Sequence, residues 1–118
     1  MHLLPSLKQK KRYIVFKIKS AQQFTFPEIR EEVDKALLLF LGQLGVAKAA
    51  PMHLPERYNH NTFVLKVSNK YVDEVKSALI LIKKIKNSPI ILQSVITSGT
   101  LKKAGFNQEK AEVAYNEY

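Results

Sequence analysis

Residues 12–19 alternate, with Ile14, Phe16 and Ile18 on one side and Tyr13, Val15 and Lys17 on the other. A period of two marks a strand with one buried face, so this segment is read as a strand. After the polar residues 20–23, Thr25 and Glu28 form a capping-box pattern, and Pro27 falls in the first turn, where its missing N–H costs nothing. Ile29, Val33, Leu37, Phe40, Leu41 and Leu44 then recur at helical spacing, and Glu31, Glu32 and Asp34 come early, where the helix dipole favours carboxylates. Gly45 offers a left-handed C-cap that ends this first helix. Residues 46–50 read as a short strand stopped by Pro51, and 52–61 as a loop. Alternation returns at 62–67, with Phe63, Leu65 and Val67 facing inward. Residues 69–86 predict a second long helix on a stripe of Val72, Val75, Ala78, Leu79 and Ile82. Asn87-Ser88-Pro89 breaks it, and the β-branched run 90–97 gives a fourth strand. Ser98-Gly99-Thr100 is a turn, 101–104 a short helical piece ended by Gly105, and Asn107 caps a last helix.

The order strand, helix, strand, strand, helix, strand predicts an α+β fold, a split βαβ sandwich of the ferredoxin-like or RNA-recognition-like kind. Its four-stranded antiparallel sheet carries two main helices on one face, and short C-terminal helices follow. Residues 1–105 form one domain including a basic arm, and 106–118 a helical tail. In this register Tyr13, Val15, Lys17, Val64 and Lys66 lie on the sheet face away from the helices, which is either open to a partner or covered by the last helix. Leu38, Leu39, Ile80 and Leu81 exceed what the core stripes need, so they are candidates for a protein-partner surface or pack under loops.

The chain has 118 residues, enough for one domain with its own core, and no Cys, which removes disulfides, thiolate nucleophiles and Cys-ligated zinc. No stretch has the length of a bilayer span or a signal-peptide core, so a cytoplasmic protein with no membrane partner is expected. A formal net charge of +9 changes the picture more, because it favours an anionic partner, nucleic acid first. Residues 1–19 carry Lys8, Lys10, Lys11, Arg12, Lys17 and Lys19 with no acid, and Lys102 and Lys103 extend a second acid-free segment. A basic surface also serves solubility alone, but six cations without one carboxylate form a concentrated anion target.

Catalytic inventory is thin. His2, His53 and His60 lack metal-ligand spacing, and there is no phosphate-cradling Gly-Lys-Thr loop and no nucleophile elbow. No metal site and no protein-borne active site are expected. Ser98-Gly99-Thr100-Leu101-Lys102-Lys103 is the sharper feature: a Gly turn opening a helix, flanked by hydroxyls and two lysines, is suited to phosphate, although Thr100 is equally an ordinary N-cap. The Lys8-to-Arg12 run suits a phosphate backbone, with Tyr13 beside it as a stacking group.

Four ordered blocks resemble archaeal ribonuclease P protein component 2, counterpart of the fifth eukaryotic processing-of-precursor subunit. They are the opening Leu4-Pro5-Ser6-Leu7-Lys8-Gln9-Lys10-Lys11-Arg12-Tyr13-Ile14-Val15-Phe16, the helix end Phe40-Leu41-Gly42-Gln43-Leu44-Gly45, Val67-Ser68-Asn69-Lys70 leading into Val72 and Val75, and Ser98-Gly99-Thr100-Leu101-Lys102-Lys103. The resemblance implies a non-catalytic subunit of a ribonucleoprotein that removes 5′ leaders from precursor tRNA, met indirectly through the RNA. It implies no cofactor in the protein and magnesium on the RNA. Partners would be ribonuclease P RNA, ribonuclease P protein component 3 and the other protein subunits, in a hetero-oligomer. Carried over by position, the RNA contacts are Lys8, Lys10, Lys11, Arg12, Ser98, Gly99, Thr100, Lys102 and Lys103. Residues 61–67 lack the Gly and paired aromatics of the RNA-recognition stacking signature, so readout of backbone and shape is expected. Two alternatives stay open at this point: a small phosphate-ester or acyl-phosphate hydrolase or ligand-sensing domain on the same fold, and an oligomeric structural module.

Overall fold

The computed structural model describes residues 10–100. Lys8, Lys102, Lys103, the C-terminal helical pieces and the tail 106–118 lie outside the described residues. β1 (Lys11–Lys19), α1 (Phe26–Ala49), β2 (Met52–His53), β3 (Thr62–Ser68), α2 (Val72–Ile80), β4 (Lys84–Ile85), β5 (Ser88–Pro89) and β6 (Ile91–Ser98) follow in order. The main sheet runs β2-β3-β1-β6 with every pair antiparallel, so the first strand is central. This is the split βαβ topology expected from the chain, with α1 and α2 on one face. There Ile14, Phe16 and Ile18 of β1 meet Phe63, Leu65 and Val67 of β3 beneath Ile29, Val33 and Leu37 of α1 and Val75 and Leu79 of α2. Phe16 and Phe63 are register partners, and their rings stack with centroids 5.2 Å apart.

α1 starts as its sequence dictates: the Thr25 side chain accepts from Glu28 N–H, and the Glu28 carboxylate accepts from Thr25 N–H at 2.9 Å. Its end differs from expectation. Gly42 takes φ 74°, ψ 173° and kinks the helix, yet helical turns resume through 46–49, and Ala50, not Gly45, adopts the left-handed cap with its N–H on Val46 O. No strand forms at 46–50; the edge strand is β2, inside the segment read as loop. Phe40 and Leu44, assigned to the core stripe, are 49% and 68% exposed, while beyond the kink Val46 packs against the core and Ala49 is buried in it.

The second helix is shorter than its periodicity predicts, ending at Ile80. Ile82 and Ile85 are buried, which is why they mimic helical spacing, but residues 84–89 form a hairpin. The second sheet face is not open at its centre either. Val15 and Val64 are 4% and 0% exposed, with Tyr13 and Leu54 packed against them.

Candidate nucleic-acid interface

Because both neighbours of β1 run antiparallel to it, its first residues meet the last residues of β3 and β6. Lys11 pairs with Ser68, and Tyr13 with both Lys66 and Ser98. Asn69 N–H donates to Lys10 O at 2.8 Å, extending the pairing one residue further. The two sequence-distant candidate groups, Lys10-Lys11-Arg12 and Ser98-Gly99-Thr100, therefore share one end of the sheet. Their closest approach is at Gly99, where a Cβ would stand 3.1 Å from Arg12 Nη1. The missing side chain lets the partly buried guanidinium lie against the turn. Thr100 N–H donates to Ser98 Oγ at 3.3 Å, so that amide serves the turn itself.

Two cations belong to this end that the residue-by-residue reading left out of the site. Lys66 Nζ stands 5.4 Å from the Tyr13 ring centroid, a cation–π contact across the register pair. Lys70 is exposed in the 3-10 turn Asn69–Tyr71 directly after the residue bonded to Lys10. Register was the missing signal: only the pairing of the end of β3 with the start of β1 brings them beside Tyr13 and Lys10.

Charge divides between the layers. β1, β3 and β6 hold Lys11, Arg12, Lys17, Lys19 and Lys66 and no carboxylate. Of the described acids, Glu28, Glu31, Glu32 and Asp34 are on α1 and Asp73 and Glu74 on α2, with Glu56 alone in a turn. Arg30–Asp34 at 3.8 Å, Lys35–Glu32 at 3.6 Å and Lys86–Glu31 at 3.7 Å neutralise part of the helical layer. The strand cations pair with no carboxylate among the described residues, so the sheet side keeps its positive field.

The candidate partner residues are all exposed: Leu38, Leu39, Ile80 and Leu81, with Leu39 at 89%. Leu39 and Leu81 both line a groove of about 330 Å³ between α1 and α2, together with Ala36, Phe40, Ala78 and Ile82. Leu38 and Ile80 are not among the residues lining it. The histidines have ordinary partners: His53 Nε2 lies 2.8 Å from Asp34 Oδ1 beneath α1, and His60 Nδ1 3.2 Å from Gln23 Nε2. Among the described residues no group of three His, Cys, Asp or Glu is placed to hold a metal ion, and no helix is long and apolar enough to cross a membrane.

A polar clip secures the other end of β1. Asn61 Oδ1 accepts from Phe24 N–H at 3.0 Å, its Nδ2 donates to Gln22 O at 2.9 Å, and its backbone O accepts from Ile18 N–H. Tyr58 Oη donates to Phe24 O and lies 3.1 Å from Asn61 Oδ1. Burial pushes the Tyr58 hydroxyl pKa above its ordinary value of 10.0; hydrogen bonding from the Asn61 backbone opposes this and the Glu28 charge adds to it.

The sequence model of the Rpp14/Pop5 family matches residues 12–107. Curated relatives named ribonuclease P protein component 2 include that of Pyrococcus furiosus, 37% identical over 101 residues, covering 86% of this chain and 84% of the relative. Those of Thermococcus kodakarensis and Methanocaldococcus jannaschii are 34% and 36% identical over 102 residues, each covering 86% of this chain and, in that order, 85% and 75% of the relative. Among solved structures, one chain of the cryo-EM structure of yeast ribonuclease MRP superposes with a TM-score of 0.68 at 15% identity, covering 93% of this chain and 92% of that one. At that identity the likeness is one of fold.

Proposed function

The chain belongs to the Rpp14/Pop5 family, and from that membership we infer that it is a protein subunit of ribonuclease P, supporting an RNA-based endoribonuclease in removing 5′ leaders from precursor tRNA in the cytoplasm. The protein does no chemistry itself: the RNA holds magnesium and cleaves, and this chain screens phosphates that would otherwise repel one another as the RNA folds. The observation that carries the site assignment is Arg12 lying against Gly99 at one end of a sheet whose three long strands contain no carboxylate. Cations held there neutralise phosphates and release counterions, a contribution that falls steeply with salt and carries little base specificity. Ribonuclease P protein component 3 is the protein partner, docking on the apolar surface that Leu39 and Leu81 share. Nothing in the site favours a hydrolase or a purely structural module.

The test is leader cleavage by ribonuclease P RNA with this protein and component 3, comparing wild type with a variant carrying Lys10→Ala, Lys11→Ala and Arg12→Ala. Wild type should stimulate cleavage at low magnesium, and the variant should lose stimulation first as salt rises. If wild type gives no stimulation, the subunit reading fails. If the variant stimulates as well as wild type, the Arg12 end is not the RNA contact.

A further inference from the structure

Lys83, Lys84 and Lys86, which helical periodicity would scatter around a cylinder, are gathered by the fold into a hairpin. Its two-residue turn, Lys86-Asn87, holds φ values of 52° and 68°, the pattern of a type I′ turn. All three lysines are exposed, while Ile85 between them is 1% exposed and anchors the ribbon in the core. The hairpin stands beside the far end of β1: Ile90 N–H donates to Lys83 O at 2.9 Å, Ile91 pairs with Lys19, and Ser88 Oγ hydrogen-bonds Gln22 Oε1. Lys17 and Lys19 are exposed at that same end of the sheet, on the face away from the helices. The carboxylates nearby are already engaged. Glu31 meets Lys86 in an exposed pair at 3.7 Å, and Glu32, which lines the groove with Lys83 and Lys84, is held by Lys35 at 3.6 Å.

Arg12 and Lys19 are seven residues apart on one strand, so at 3.3 Å per residue the two basic ends are separated by about 23 Å. We propose that the hairpin lysines, Lys83, Lys84 and Lys86, are a second contact for RNA backbone, so that one copy of the chain holds two separated phosphate tracks. The identity of the polyanion rests on the ribonuclease P reading. RNA is favoured over an acidic protein because the same carboxylate-free strand joins both ends, and lysines act on phosphate as point charges. Two contacts on one rigid fold bind cooperatively, the second acting at high effective concentration.

The sequence has no cysteine, so a single Lys84→Cys or Lys10→Cys change carries an iron chelate to one site for directed hydroxyl-radical cleavage of bound ribonuclease P RNA. Two non-overlapping footprints are expected. In parallel, the full chain with Lys83→Ala, Lys84→Ala and Lys86→Asn, the last chosen because Asn tolerates positive φ, should bind the RNA at least about tenfold more weakly. Its slope of log affinity against log salt should be shallower by about 2, since each single-strand phosphate contact contributes about 0.7. Coincident footprints, or cleavage from position 10 with none from position 84, overturn the proposal and leave the subunit reading intact. So does a hairpin variant that binds RNA like wild type but loses component 3, which would make the lysines a protein contact. If wild type binds no RNA and neither tether cleaves, the subunit reading falls and takes this proposal with it.

Discussion

Asn61→Ala tests the clip that fixes the path from β1 into α1. Asn61 is 7% exposed and adopts φ 60°, a left-handed conformation that Asn tolerates and Ala does not. Removing its side chain strips Phe24 N–H of its partner, and Phe24 is 3% exposed, so that amide stays dry and unsatisfied at a cost of about 1–3 kcal/mol. Gln22 is exposed, and its carbonyl finds water, so the second lost bond costs at most about 1 kcal/mol. Holding Ala at positive φ adds about 1–2 kcal/mol. The sum, about 2–6 kcal/mol, is a large part of the 5–15 kcal/mol expected for a whole domain. Urea unfolding followed by circular dichroism should show a lower midpoint at unchanged slope. Asn61→Gly loses the same hydrogen bonds without the φ strain and should be the more stable of the two variants. An Asn61→Ala protein within about 1 kcal/mol of wild type would refute the burial argument, and Asn61→Gly no better than Asn61→Ala would refute the strain argument.

Gly99→Ala should leave the unfolding midpoint nearly unchanged, because the Arg12 guanidinium is the movable end of a flexible side chain, yet weaken RNA binding several-fold by displacing it; filter binding and a thermal melt together check this. Leu39→Asp should change stability by no more than about 0.5 kcal/mol, since the side chain is already in water, while abolishing co-purification with component 3. Tyr58 holds its proton more tightly folded than unfolded, so its contribution is complete below pH 10 and declines as pH rises through the folded pKa. Denaturation midpoints taken from pH 9 upward should fall in wild type and fall less in Tyr58→Phe.

Strands β1 and β3 were readable because each turns one apolar face into the core; in β3 the other face is buried too at Val64, so the alternation there is of residue type and not of exposure. The capping box was readable because it is local: Thr25 and Glu28 satisfy each other within one turn. The failures share a cause, which is that local patterns underdetermine what tertiary contact selects. Ile82 and Ile85 keep helical spacing because both reach the core, and only the positive φ values of Lys86 and Asn87 turn the segment into a hairpin. Gly42 and Gly45 sit three residues apart with equal capacity for the left-handed region; the chain uses Gly42, and then Ala50, to steer toward β2. The Arg12–Gly99 contact was half visible: both residues were named from the chain, and only sheet order β2-β3-β1-β6 makes them neighbours.

The division of charge between layers bears on why such a subunit is built on a sheet. Ionic residues on α1 lie three or four apart and find each other, as Arg30–Asp34 and Lys35–Glu32 do, so a helix carrying both signs cancels its own field within a turn. Strands have no such local pairing, because residues two apart on one face are the nearest same-chain neighbours and partners come from other strands. Leaving carboxylates off β1, β3 and β6 therefore denies their cations any cross-strand neutralisation: Tyr13 is opposite Lys66 and Ser98, and Lys17 opposite Thr62 and Gln93. The core beneath holds those cations at fixed spacing, so the ordering entropy of the backbone is met on folding and not on binding RNA. Binding strength can then be set by the number of phosphates reached.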